Sequence, residues 1–209
     1  MSQPRLLLCG FGAFPAAPRN PSAAVVEAIA AEGWTPLGVT LETLVLPVAW
    51  SRSVQAVAAA LAARPADGVL VVGVAVEAQA FRIETLGRNR ACLDRPDHDG
   101  HAWSTAYIRE GAADLAATAP VEAMAAAVAA AGLAVELSTD AGDYLCNFTL
   151  FELLAAEAAP AIGFLHVPQA RELHEGAGFD LADIAKAVRA ATGAFAEALS
   201  RPGASRRTA

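Results

Sequence analysis

The sequence predicts an α/β domain in which a mainly parallel sheet is covered by helices on both faces. Two observations carry this. Short Val/Leu-rich runs, too continuously apolar for a sheet with one wet face, alternate with alanine-rich segments of helical length. The 209 residues, 55% hydrophobic and only 18% charged, also suffice for one large core.

Taken in order, "RLLLC" (Arg5 to Cys9) is the first strand. In "NPSAAVVEAIAAEG", Asn20 caps a helix, Pro21 fits its first turn and Gly33 ends it. Gly38 to Val48 reads as a second strand, Ser51 to Ala63 as a helix stopping before Pro65, and Val69 to Val74 as a buried third strand. The pattern then breaks: Val76 to Ala119 shows no clean helix and is dense in Arg, Asp, His and Gly, and a connection this long is either functional or carries small strands of its own. A helix over Val121 to Ala131, a strand over Leu133 to Leu137, a helix over Cys146 to Ala158 and a strand over Ile162 to Val167 follow. Asp180 to Leu199 closes the chain as a helix with an apolar stripe through Ile184, Val188 and Phe195. Residues 1–199 are expected to form a single domain and residues 200–209, rich in Pro, Gly, Ser and Arg, a loose tail.

Composition removes several functions. A formal net charge of −7 without a basic stripe argues against a nucleic-acid surface. The apolar run "GVLVVGVAV" falls well short of the roughly 20 residues a membrane span needs. Three cysteines, Cys9, Cys92 and Cys146, point to free thiols in a reducing compartment, hence a cytoplasmic location.

Three positions carry reactive groups where open α/β sheets place ligands. Cys146 opens a helix, where unpaired N–H groups and the positive end of the dipole favour a thiolate; the alternative is a buried structural cysteine. His166, in "AIGFLHVP", closes a buried strand, and a consecutive β-α-β arrangement would bring it to the same sheet edge as Cys146. Glu84, in "FRIETLGRN", could orient the imidazole, although spacing alone does not separate it from Glu77. The cluster "CLDRPDHDGH" matches no established metal-ligand spacing and reads as a polar loop, so no metal is assigned.

With these residues in place, the chain resembles the pyroglutamyl peptidase I (pyrrolidone-carboxylate peptidase) family of cysteine peptidases. "LLLCGFGAFPAAPRNPSAAVVEAI" is similar to the family's opening strand, phenylalanine loop and Asn-Pro-Ser helix start. "DAGDYLCN" is similar to its nucleophile turn, "GFLHVP" to its histidine strand, and "RIETLGRN" falls where it carries a glutamate.

The resemblance implies a three-layer αβα sandwich around a mostly parallel, mixed sheet. It also implies cleavage after an N-terminal pyroglutamyl residue by Cys146, His166 and Glu84, without a cofactor. The lactam would lie against Phe11, Phe14 and Tyr144, held by the carbonyl of Val74 and the N–H of Leu145. The family's oxyanion arginine falls on Asp94 in a gapless alignment and on Arg95 after a one-residue shift. "VAVEA" (Val74 to Ala78) replaces a glycine-rich family stretch, and Tyr144 a phenylalanine. An altered small N-acyl substrate or a binding-only role are the alternatives these departures leave open. A peptide substrate and a homo-oligomer, a tetramer in the family, are the implied partners, with Trp50 and Trp103 available for subunit contacts.

Overall fold

The computed structural model describes residues 3–14 and 17–201. The expected tail therefore lies outside the described residues except for Ser200 and Arg201. The chain runs β1 (Arg5–Phe11), α1 (Pro21–Ala31), β2 (Thr40–Leu46), α2 (Trp50–Ala63), β3 (Gly68–Val74), β4 (Phe81–Glu84), β5 (Leu86–Gly87) and β6 (Leu115–Ala116). It continues through α3 (Val121–Ala130), β7 (Val135–Ser138), α4 (Leu145–Ala155), β8 (Ala161–Val167) and α5 (Leu181–Ser200). The main sheet has six strands in the order β2-β1-β3-β8-β4-β7, and β5 pairs with β6 in a separate ribbon.

The four long strands β2, β1, β3 and β8 are parallel, and alternate residues of each feed opposite faces. Leu7, Cys9, Val69, Val71 and Phe164 pack beneath α2 and α4 with Val57, Leu150 and Phe151. Leu6, Leu8, Leu70, Val72 and Leu165 pack against α1, α3 and α5 with Ile29, Met124, Val188 and Phe195. Burial on both faces is why β1, β3 and β8 read as unbroken apolar runs, whereas β2, at the sheet edge, is mostly half-buried. The result is the three-layer sandwich around a mostly parallel, mixed sheet.

Local signals set several boundaries where the sequence places them. The Asn20 side chain accepts the Ser22 N–H at 3.0 Å with Pro21 in the first turn. Asp180 accepts the Asp183 N–H at 2.7 Å as half of a capping box.

One expectation is corrected. The segment Val76 to Ala119 carries the small strands β4, β5 and β6. Strand β4 runs antiparallel to β8 and inserts between β8 and β7. The β7-α4-β8 segment is consequently not a parallel crossover, since β7 pairs parallel with β4 and so runs against β8. Cys146 and His166 therefore do not meet through a parallel β-α-β crossover, and a different geometry brings them together.

Candidate active site

Strand register supplies that geometry. Arg82 of β4 lies opposite His166 of β8, so Glu84, two residues along, shares the face of His166 as its diagonal neighbour. On the other side His166 pairs with Gly73 of β3. A Cβ on Gly73 would lie 2.9 Å from Cys146 Sγ, so the bare glycine makes the space in which the thiol sits over the sheet. Helix α4 delivers that thiol from above, with Leu145 and Cys146 in its first turn.

Glu84 is fully buried, and its Oε1 lies 2.8 Å from His166 Nδ1. Burial works against an imidazolium here. The Cys146 thiolate and the Glu84 carboxylate outweigh it and push His166 up to about 9. Cys146 is only partly buried, whereas Cys9 and Cys92 are buried and free. Burial pushes both of those thiols up, Cys9 far more than Cys92.

The helix start is left open for a ligand. Its first internal bond runs from the Phe148 N–H to the Tyr144 carbonyl at 3.0 Å. No side chain caps it, so the N–H groups of Leu145, Cys146 and Asn147 have no helical acceptor. Asn147, completely buried, fixes this end in place. Its Oδ1 accepts the Arg88 N–H, and its Nδ2 donates to the carbonyls of Arg88 and Arg90, all at 2.8 Å. Arg88 and Arg90 also grip the preceding turn through Thr139, Asp140 and Gly142. Gly142 holds a φ of 84° there, open to glycine at low cost.

Around the thiol is a cleft of about 960 Å³. Phe11, Phe14, Val74, Tyr144, Leu145 and Arg95 all line it, together with Cys146 and His166. The phenylalanine loop is tied to the start of α1: the Phe11 N–H donates to Ser22 Oγ at 3.1 Å and Asn20 Nδ2 to the Gly12 carbonyl at 2.9 Å. The Tyr144 hydroxyl donates to the Pro96 carbonyl at 2.8 Å, and burial, ahead of the Asp97 carboxylate, pushes its phenol up to about 12.

Of the two arginine alignments, the cleft receives Arg95 and not Asp94, which faces solvent elsewhere. Arg95 pairs with Asp143 and lies over the Tyr144 ring at 5.0 Å from its centroid. The two glutamates that spacing could not separate have different places, with Glu84 beneath the imidazole and Glu77 exposed on the cleft wall.

Sequence reading missed Gly73, Asn147 and Asp97. An isolated glycine in the run "GVLVVGV" was the available signal for the first. Asp97 is buried and accepts the Trp50 N–H at 3.0 Å, capping α2 from a distant loop. Within the polar loop, Asp97, Asp99 and His101 lie near one another. Trp50 is not free for subunit contacts. With Trp103 it packs in an aromatic cluster behind Tyr144, 5.1 Å from that ring.

The chain matches the Peptidase_C15 family, pyroglutamyl peptidase, over residues 4–198. This chain belongs to the pyroglutamyl peptidase family. Among its relatives, the pyrrolidone-carboxylate peptidase of Streptomyces coelicolor is 32% identical over 173 residues, 80% of this chain and 79% of that protein. The one from Gloeobacter violaceus is 32% identical over 78% of this chain and 81% of its own length. The fold matches pyroglutamyl peptidase I from Bacillus amyloliquefaciens with a TM-score of 0.85 at 22% identity, covering 93% of this chain and 96% of that one. Pyrrolidone carboxyl peptidase from Thermococcus litoralis gives 0.85 at 24% identity, covering 94% of each chain.

Proposed function

We propose that the protein is a cysteine exopeptidase hydrolysing the amide bond after an N-terminal pyroglutamyl residue. The observation that supports this best is the line from buried Glu84 through His166 to Cys146 at the floor of the cleft. In this reading the Cys146 thiolate attacks the pyroglutamyl carbonyl carbon. The resulting oxyanion meets the open Cys146 N–H at the start of α4 and the guanidinium of Arg95. Imidazolium His166 then gives its proton to the departing amine, the C–N bond breaks, and a thioester to Cys146 remains. Neutral His166 takes a proton from water as its oxygen attacks the thioester, and pyroglutamate leaves with the thiolate restored. Glu84 orients the ring through Nδ1 and stabilises its charged form.

Phe11, Phe14 and Tyr144 supply the apolar walls for the uncharged lactam, with the Val74 carbonyl and the Leu145 N–H as its polar contacts. No metal or organic cofactor enters these steps. Three free cysteines, an odd number, fit a reducing compartment, which is the basis for a cytoplasmic location; a homo-oligomer is carried over from the family resemblance. Among the described residues no helix is long and apolar enough to cross a membrane.

Release of a coumarin amine from its pyroglutamyl amide, by the protein and by Cys146→Ala, tests the reading. Activity lost in the variant and unaffected by EDTA is the expected result. Hydrolysis that survives the substitution defeats the thiol mechanism.

A further inference from the structure

An enzyme that keeps the lactam must also seat the amine that leaves, and the acid that protonates this amine fixes its place. His166 is that acid in the reading above, so the leaving nitrogen comes within hydrogen-bond reach of its ring. Strand register says what stands beside it. Arg82 of β4 is the residue directly opposite His166 of β8, and opposite side chains in an antiparallel pair share a face with Cβ atoms about 5 Å apart. Glu84, two residues along the same strand, reaches the imidazole from that same face. Arg82 and its register partner on β7, Glu136, both line the cleft. The Arg82 guanidinium is only partly used: Nε donates to Glu136 Oε1 at 2.7 Å, and neither Nη has an acceptor among the described residues.

We propose that Arg82 binds the carboxylate of the residue that leaves, so that it favours pyroglutamyl dipeptides with a free C-terminus. This rests on the pyroglutamyl peptidase reading and adds the form of the leaving group. In a dipeptide the carboxylate carbon is two bonds from the departing nitrogen, whatever the side chain. A nitrogen held at His166 therefore keeps its carboxylate within reach of the neighbouring residue across the strands, which is Arg82. The two unused Nη groups offer a carboxylate N–H donors and a charge, whereas the amide carbonyl of a longer peptide gains only the hydrogen bonds. Glu136 shares the same guanidinium and repels a second carboxylate, so the contact is of modest size. The Arg82 side chain is 38% exposed, which sets the scale at that of a surface ion pair.

The test is kcat/KM for pyroglutamyl-alanine and pyroglutamyl-alaninamide with the full chain, Arg82→Gln, Glu136→Gln and the double variant. The two amines differ as leaving groups, so the readout is the change in the acid-to-amide ratio between proteins; general damage lowers both rates and leaves the ratio alone. The ratio is expected to fall about two- to five-fold in Arg82→Gln, the range of an exposed ion pair, and to rise in Glu136→Gln, where the guanidinium has lost its competitor. About 0.5 M salt lowers the ratio of the full chain toward that of Arg82→Gln. The double variant decides between contact and field, because it removes one charge of each sign. Direct binding leaves its ratio about two- to five-fold below that of the full chain. A double variant with the ratio of the full chain overturns the proposal even if the single variants shift it in opposite directions, and so does a ratio unchanged in Arg82→Gln. Cleavage of neither compound by the full chain overturns the pyroglutamyl reading and the carboxylate site with it.

Discussion

Replacing Gly73 with alanine adds one methyl at the junction of thiol and imidazole. On the existing backbone the new Cβ lies 2.9 Å from Cys146 Sγ and 2.7 Å from Phe164 Cζ, closer than real Cβ atoms come. Ordinary contact begins at 3.4 Å, so the thiol must retreat by about 0.5 Å and Phe164 Cζ by about 0.7 Å. Phe164 is completely buried and its ring centroid lies 4.7 Å from that of His166, so its shift passes to the imidazole. Each shift misplaces a reacting group. A 1 Å error costs about 10²-fold, and half of that corresponds to about a ten-fold loss in kcat. Overpacking costs about 1–3 kcal/mol of stability besides. Steady-state kinetics on a pyroglutamyl coumarin amide, a urea melt and the rate of Cys146 alkylation would measure the three effects together. Wild-type kcat and alkylation in a folded Gly73→Ala protein would refute the claim that the thiol is seated against this glycine.

Glu84→Gln should lower kcat by about 10²-fold or more in the same assay, through loss of the charge that orients and supports His166. With His166 pushed up to about 9, activity should fall as pH rises through about 9 and the imidazolium is lost, and Glu84→Gln should move that limb downward. The pair also contributes stability, fully present below the free histidine value of 6.5 and lost as pH rises from there through about 9; melts across that window would show it. Asp97→Ala removes the cap on α2 and should cost about 1–2 kcal/mol in a urea melt, with little change in kcat. Tyr144→Phe removes the bond to the Pro96 carbonyl and should cost about 1 kcal/mol, with kcat/KM within a few-fold of wild type.

The parallel half of the fold was legible because β1, β3 and β8 are buried on both faces and leave continuous apolar runs. Strand β4 was not, since four residues with a charged Arg82 carry too little pattern to announce a strand, and its direction depends on partners distant in sequence. Cys146 and His166 stood out through their positions at a helix start and a strand end. The geometry joining them did not, because it rests on register: Gly73 beside His166, and Glu84 on its diagonal. Glu84 and Glu77 are equivalent as letters in a long connection, and only the pairing of β4 with β8 buries one and leaves the other on the cleft wall.

The position of β8 has a consequence for how the protein comes into being. It is the last strand in the chain, yet it lies in the middle of the sheet, joining β3 on one side and β4 on the other. Strands β4 and β7, made before it, have no place beside β3 until β8 fills the gap. A chain still emerging from the ribosome can assemble β1, β2 and β3, but its nucleophile waits without a base. Peptide-cleaving chemistry therefore switches on after synthesis has passed His166, in the same step that zips the two halves of the sheet together. Such late, long-range closure is slow by nature, and in a refolding experiment recovered activity should follow completion of the sheet, lagging the first appearance of helix.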